Sequence, residues 1–226
     1  MPAIGTSGLL RDIAASPCVG GPLAQRDRVR REAIALIERE DLIEAAYSYR
    51  IVPLDEPPGT CLRVGGEVLD ALRLVPDRGQ LTAVAAAVCT LGETLEKRTT
   101  ALFAERRTSL ALALDGVANE LLFALSRRLQ DRIIVEARKH QLSAAGELRA
   151  GDPGLPLTAQ PGVLRLAAAD TIGVTVSRSQ LLHPLKSTSM ILGIGIDLPP
   201  AQWSRCDQCP SASKCRMAGY AAGATS

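Results

Sequence analysis

The stretch His183-Pro184-Leu185-Lys186-Ser187-Thr188-Ser189-Met190-Ile191-Leu192-Gly193-Ile194-Gly195-Ile196 decides the fold of this chain. Its second part, residues 188–196, is an apolar run of strand length that is rich in Ile, which predicts a buried strand. Gly193 and Gly195 lie inside this predicted strand. A dinucleotide-binding glycine loop lies between a strand and a helix instead, so these glycines do not indicate one.

Helices are predicted mainly in the first two-thirds of the chain. Residues 26–46 and 93–107 carry apolar residues among charges at helical spacing, and residues 109–139 form the strongest pattern. Apolar residues of this long segment recur at steps of three and four, which places on one stripe Leu114, Val117, Ala118, Leu121, Leu122, Leu125, Leu129 and Ile133. We expect this stripe to be buried.

The remaining segments have weaker patterns. Residues 47–52, 61–64 and 172–176 are interpreted as strands, and residues 67–74, 80–91 and 163–169 as helices, with Cys89 a buried small residue of the second helix. Residues 146–162 contain several Gly and Pro and are interpreted as a loop. Helices in one part of the chain with strands flanking them predict the α+β class.

Composition excludes several classes of function. The 226 residues carry a net charge of +2, with basic and acidic residues interspersed, and only 3% are aromatic. These values argue against a nucleic-acid-binding protein. No continuous apolar stretch approaches the roughly 20 residues of a membrane span. The N-terminal residues lack the apolar core of a signal peptide, so a cytoplasmic protein that works away from membranes is expected.

The C-terminal segment contains Cys206, Cys209 and Cys215, at spacings of three and six positions. In a reducing compartment, clustered cysteines indicate metal or redox chemistry more often than disulfides. A zinc ion or an iron–sulfur cluster fits this pattern. Zinc needs a fourth ligand, which could be an external group or one of Cys18, Cys61, Cys89 and His183. A cluster takes four thiolates but could keep one iron open. The alternative is a tail with three thiols and no metal. We divide the chain into a loose arm (1–24), an α+β domain (25–200) and a Cys-rich tail (201–226).

Four segments resemble the activation domain of cobalamin-dependent methionine synthase and its free-standing relatives. They are residues 86–92 (AAVCTLG), residues 114–120 (LDGVANE), the loop 149–157 (RAGDPGLPL) followed by Gln160, and the run from Ile172 through His183 to Gly193. Together they span residues 80–196 in the order of the family.

The resemblance implies both a fold and a role. The fold is a twisted antiparallel sheet packed with helices. In methionine synthase this domain binds S-adenosylmethionine beside the corrinoid, so that inactive cob(II)alamin is reduced and methylated again. The chain would then support a corrinoid protein of a methyltransferase system. Cobalamin would be carried by that partner, because no motif for a lower-ligand histidine is present.

The resemblance also implies a set of cofactor-binding residues, which are Asp115, Glu120, Arg149, Gly151, Lys186, Ser187 and Ser189. An arginine can hold the carboxylate of S-adenosylmethionine with two hydrogen bonds. Each position has an ordinary alternative: carboxylates near a helix start, an arginine in a solvated loop, and hydroxyls that bond locally where a strand begins.

One departure from the family divides the functional hypotheses. Asp152 stands where the family loop has a tyrosine, which removes an aromatic face and adds a carboxylate. The first hypothesis is an accessory protein that supports reductive activation of a corrinoid protein, with a metal or iron–sulfur site in the tail. The second is a non-catalytic corrinoid-protein binding module that has lost S-adenosylmethionine, with structural zinc in the tail. A methyltransferase subunit is a third possibility, for which no acid–base or nucleophile set is visible.

Overall fold

A computed structural model describes residues 23–200, together with residues 8, 10 and 11. Between residues 23 and 200 the helices are α1 (Leu23–Glu40), α2 (Thr94–Ala104), α3 (Thr108–Lys139) and α4 (Gln160–Leu166). The strands are β1 (Ala46–Pro53), β2 (Leu62–Val64), β3 (Glu67–Leu69), β4 (Gln80–Thr90), β5 (Ser143–Leu148), β6 (Thr175–Val176), β7 (Leu182–His183) and β8 (Ser187–Ile196). Short 3-10 turns cover Leu72–Leu74, Leu157–Ala159 and Ala169–Ile172.

A four-stranded antiparallel sheet has the order β1-β4-β8-β5. Strand β5 pairs with β8 so that Ala144 faces Ile194 and Leu148 faces Ile191, with an irregularity between Ala145 and Leu148. Strand β8 is buried along nearly its whole length, which explains why its sequence is a continuous apolar run and not an alternating one. The predicted α+β class, the antiparallel sheet and the strand at residues 188–196 are therefore confirmed.

The two glycines of β8 allow its neighbours to approach closely. A Cβ atom at Gly195 would lie 1.9 Å from the carbonyl oxygen of Gln80 in β4, and one at Gly193 would lie 3.0 Å from that of Ala145 in β5. A separation of 1.9 Å is far below any real carbon–oxygen contact, so position 195 requires glycine in this packing. The two glycines thus allow close packing of strands within the sheet, as their position inside the predicted strand indicated.

The long helix α3 carries the predicted buried stripe. Seven of the eight apolar residues assigned to it are buried, and Leu122 is half-buried. Among the described residues, α3 has the length and the apolar composition of a helix that could cross a membrane. The criterion of a continuous apolar stretch did not predict this. A buried leucine stripe is also what the core helix of a folded domain shows.

Two predicted helices are wrong. The segment predicted as a helix at 80–91 forms strand β4 (Gln80–Thr90). Its residues from Ala83 onward are all buried, so the periodicity of a surface helix could not apply to them. Residues 67–74 form β3 and a 3-10 turn. Gly65 and Gly66 have φ of +55° and +80° and join β2 to β3 in a hairpin, because both central residues of such a turn need positive φ. A Gly-Gly pair between two short apolar runs indicates this hairpin.

Two further boundaries differ from the predictions. Residues 143–148, composed of Ser, Ala, Gly, Glu and Leu, form strand β5, although most of these residue types have low strand propensity. Only Thr175–Val176 of the predicted strand at 172–176 is extended, and Ala169–Ile172 forms a 3-10 turn. Pairing with β8 outweighs local propensity in β5.

The chain divides into two compact units. The first comprises the described residues up to Tyr47, Cys89–Leu129 and Leu181–Thr188, and its core includes Leu36, Leu95, Leu102, Leu114 and Leu121. The second comprises Ser48–Val88, Gln130–Gln180 and the described residues from Ser189 onward, and its core includes Leu62, Leu69, Val84, Ile191 and Ile194.

Candidate functional site

In the first unit, Lys186 joins two polar side chains of α3. Its ammonium nitrogen Nζ lies 2.6 Å from Asp115 Oδ1 and donates a hydrogen bond to Asn119 Oδ1 at 2.8 Å. Asp115 and Asn119 are one helical turn apart and therefore share a face of α3. The Lys186 side chain is 13% exposed and that of Asp115 is 44% exposed, so the group reaches the surface. We call Asp115, Asn119 and Lys186 the Lys186 cluster.

The backbone and hydroxyl groups around Lys186 hold it in place. Its carbonyl accepts a hydrogen bond from the amide of Leu91 at 2.9 Å. The Ser187 hydroxyl lies 2.8 Å from Thr90 Oγ1 and 2.6 Å from the carbonyl oxygen of Pro184, and Ser187 is buried. Glu96 Oε2 accepts a hydrogen bond from the amide of Leu185 at 2.8 Å. The start of β8 is thereby fixed, and Lys186 with it.

Glu120, also predicted as a site residue, does not join the Lys186 cluster. Its carboxylate forms an ion pair with Arg30 of α1. A separation of five residues turns Glu120 well away from Asp115 on α3, whereas Asn119, four residues on, stays on the same face. Asn119 was not among the predicted site residues, although its spacing of four from Asp115 was the available indication of its position.

In the second unit, Arg149 lies in a turn that follows β5. Its guanidinium Nε donates a hydrogen bond to Glu147 Oε1 at 2.8 Å, and the two side chains are 15% and 18% exposed. The backbone amide of Arg149 donates to Asp152 Oδ2 at 2.9 Å. We call residues 147–155 the Arg149 loop.

Backbone hydrogen bonds close the Arg149 loop on itself. The amide of Gly151 donates to the carbonyl of Leu155, and the amide of Asp152 donates to that of Arg149, at 2.9 Å and 2.8 Å. Gly151 has a φ of +96°, which favours glycine, and it is exposed. Asp152 therefore has a structural role here, since its carboxylate caps the amide that begins the turn.

Ser189 lies within β8 and is buried with Gln160 of α4. The side-chain nitrogen of Gln160 donates a hydrogen bond to the Ser189 hydroxyl at 2.7 Å, and the residues are 5% and 3% exposed. A buried polar pair that is mutually satisfied stabilises the interior of its unit. Ser189 thus lies inside the strand predicted at residues 188–196, and its hydroxyl is bound within the second unit.

The cysteines divide between the described and undescribed parts of the chain. Cys206, Cys209 and Cys215 lie outside the described residues. Cys89 is buried in β4, as predicted, although in a strand, and Cys61 is half-buried. Within the part of the chain that the structure describes, no group of three His, Cys, Asp or Glu residues could hold a metal ion.

Comparison with known proteins identifies the fold. No family model matches the chain, and no curated protein matches it. Among solved structures, the chain is similar to the MetH reactivation domain bound to AdoHcy, with a TM-score of 0.60 and 12% sequence identity. The match covers 90% of this chain and 73% of the other. The chain therefore has the fold of that reactivation domain.

Proposed function

We propose that this chain is an accessory protein of a cobalamin-dependent methyltransferase system, which docks on a corrinoid protein and supports its reductive activation. The observation that carries the proposal is the match to the MetH reactivation domain over 90% of the chain. A shared fold is by itself only an analogy for function. The four sequence segments that resemble the same family are the second line of support.

Binding to a corrinoid protein tests the docking part of the proposal. The purified chain is mixed with two corrinoid proteins from the same organism, the corrinoid domain of methionine synthase and that of a separate methyltransferase system. Each is loaded in turn with cob(II)alamin and with methylcobalamin. We expect a complex on size exclusion that depends on the corrinoid. If neither protein associates in either state, the proposal is wrong.

The cysteine tail carries the reductive part of the proposal. An iron–sulfur cluster held by Cys206, Cys209 and Cys215 would supply a low-potential electron for the reduction of cob(II)alamin to cob(I)alamin, since cluster potentials extend to about −700 mV. Zinc in the same position would be structural, because the ion has no redox chemistry. An iron–sulfur cluster would therefore make the tail an electron carrier, whereas zinc would make it a structural element.

Anaerobic purification separates these alternatives. We expect a brown protein that contains iron and sulfide and loses its visible absorption in the variants Cys206→Ser and Cys209→Ser. Ser211→Ala is the matched control, since it changes a residue of the same segment that carries no thiol and should leave the absorption unchanged. A colourless protein with zinc or with no metal, even after reconstitution with iron and sulfide, would contradict electron delivery.

A second candidate is a corrinoid-protein binding module that has lost S-adenosylmethionine. The observation in its favour is the pairing of Arg149 with Glu147, because the guanidinium expected to hold the ligand's carboxylate already holds a carboxylate of the chain. The Lys186 ammonium similarly forms an ion pair with the Asp115 carboxylate. Both pairings favour the candidate in which these residues no longer hold S-adenosylmethionine. Micromolar binding of S-adenosylmethionine that weakens in Arg149→Ala would reject this candidate.

A further inference from the structure

We propose that Glu147 determines which ligands the Arg149 loop accepts: it occupies the Arg149 guanidinium and excludes ligands that present a free carboxylate. The inference concerns the charge of a ligand at this loop and holds whether or not the chain docks on a corrinoid protein. Its failure and the failure of the proposed function are therefore distinguishable.

The position of Glu147 on β5 accounts for its effect. Residues two apart along an extended chain point to the same side, so Glu147 at the end of β5 and Arg149 just after it project together. The hydrogen bond of 2.8 Å between Arg149 Nε and Glu147 Oε1 involves side chains that are only 15% and 18% exposed. Water screens such a pair less than a surface pair, so an incoming carboxylate competes with a partner that is already in place.

The two carboxylates of the loop work in the same direction because of where they lie. Residues 147–155 contain two carboxylates and one guanidinium, and Arg73 adds a second guanidinium, which donates a hydrogen bond to the carbonyl of Pro153 at 2.9 Å. The charges around the loop are thereby balanced, but both carboxylates lie beside Arg149: Glu147 accepts from its Nε, and Asp152 Oδ2 accepts from its backbone N–H. A carboxylate that approaches Arg149 therefore meets these two negative charges at short range, whereas a neutral or cationic group is not repelled by them.

The experiment uses two probes that differ only in a carboxylate. These are S-adenosylhomocysteine and its decarboxylated form, S-adenosyl-3-thiopropylamine, and calorimetry with the full chain gives the dissociation constant of each. We expect the wild-type chain to bind the carboxylate form no more tightly than the decarboxylated form, or to bind neither. Wild-type binding of the carboxylate form that is about tenfold tighter overturns the inference without any variant.

Variants then test Glu147 itself. Glu147→Gln keeps the size and the acceptor oxygen but removes the charge, and we expect a preference of about tenfold for the carboxylate form. Glu147→Gln combined with Arg149→Met should abolish that preference. Glu136→Gln is the matched control, because Glu136 pairs with Lys139 at the surface of α3 and should leave binding unchanged. Thermal unfolding checks that each variant is folded, and a folded Glu147→Gln without the preference overturns the inference.

Discussion

The Lys186 cluster and the Arg149 loop each pair a mostly buried cation with a carboxylate, but at very different separations in sequence. Each holds a cationic side chain that is mostly buried, 13% exposed for Lys186 and 15% for Arg149, against a carboxylate of the chain. Lys186 also donates a hydrogen bond to Asn119 of α3, 67 positions away in sequence, whereas Arg149 pairs with Glu147, two positions away. The first contact joins two segments of the first unit that are far apart in sequence, and the second shapes a single turn.

This difference determines where the loss of each contact should be measurable. A contact between distant positions forms only when its unit folds, so its loss lowers the free energy of global unfolding. A contact within a turn can open while the rest of the protein stays folded, so its loss appears in local opening and in ligand binding.

Ser187→Ala should have the largest effect of these changes on global stability. The buried hydroxyl lies within hydrogen-bond distance of Thr90 Oγ1 and of the Pro184 carbonyl, and its removal leaves buried polar groups with fewer partners. We expect the free energy of unfolding to fall by about 2 kcal/mol in urea denaturation. The control Ser179→Ala removes an exposed hydroxyl and should change it little. Equal effects of the two changes would contradict the anchoring role of Ser187.

Lys186→Met should lower global stability by about 1 kcal/mol, because Met retains the buried stem and only the charged bonds to Asp115 and Asn119 are lost. A double-mutant cycle with Asp115→Asn measures the coupling, which should shrink in high salt since Asp115 is 44% exposed. A coupling near zero would mean that the cluster is a surface contact without energetic weight.

Asp152→Ala should act locally. Its carboxylate caps the amide of Arg149, so we expect hydrogen exchange of that amide to accelerate by about fivefold, which corresponds to roughly 1 kcal/mol, while the melting temperature stays nearly constant. Asp170→Ala, an exposed aspartate of the same unit, is the control. A drop of several degrees in the melting temperature would show that the Arg149 loop is coupled to global folding, and would break the comparison with the Lys186 cluster.

The same contrast explains what the sequence could and could not predict. The stripe on α3 and the strand at 188–196 follow from periodicity and from an uninterrupted apolar run, and both are confirmed. The Lys186–Asp115 contact joins α3 to the residue just before β8. These positions are far apart in sequence, and no local pattern encodes such a pairing. Both residues were selected because their segments resemble a family, which gave candidate positions without a geometry; their functional role stays a prediction.

Glu147 is the opposite case, in which the sequence contained the information but was misinterpreted. Its pairing with Arg149 is local and follows from the two-residue period of a strand, so the sequence contained the necessary information. It was missed because β5 has no β-branched residue and because its end, from Gly146 onward, was interpreted as part of a loop. Strand β4 was misread for a related reason, since a fully buried strand of Ala and Val has no polar face that would distinguish it from a buried helix.

The smallest effect concerns the pH dependence of an ion pair in the second unit. The side chain of Arg165 donates two hydrogen bonds to the carboxylate of Glu67, at 2.6 Å and 2.8 Å, and these hold the pKa of Glu67 below its ordinary value of 4.5. A depressed folded-state pKa means that the unfolded chain takes up a proton first as the pH falls. The pair therefore stabilises the fold fully above about pH 4.5, and this stabilisation is lost as the pH falls through the lower folded-state value.

Glu67→Gln measures this contribution. Because Arg165 is 64% exposed, solvent screening limits the effect, and we expect a loss of about 0.5 kcal/mol in the free energy of unfolding at pH 7. The difference between wild type and variant should shrink as the pH falls below 4.5 and should also shrink at high salt. Glu38→Gln, an exposed glutamate of α1, is the control for a change of net charge alone. A difference that grows toward acid pH would mean that the folded chain favours protonated Glu67. That outcome would contradict the prediction, because the two hydrogen bonds from Arg165 stabilise the ionised carboxylate.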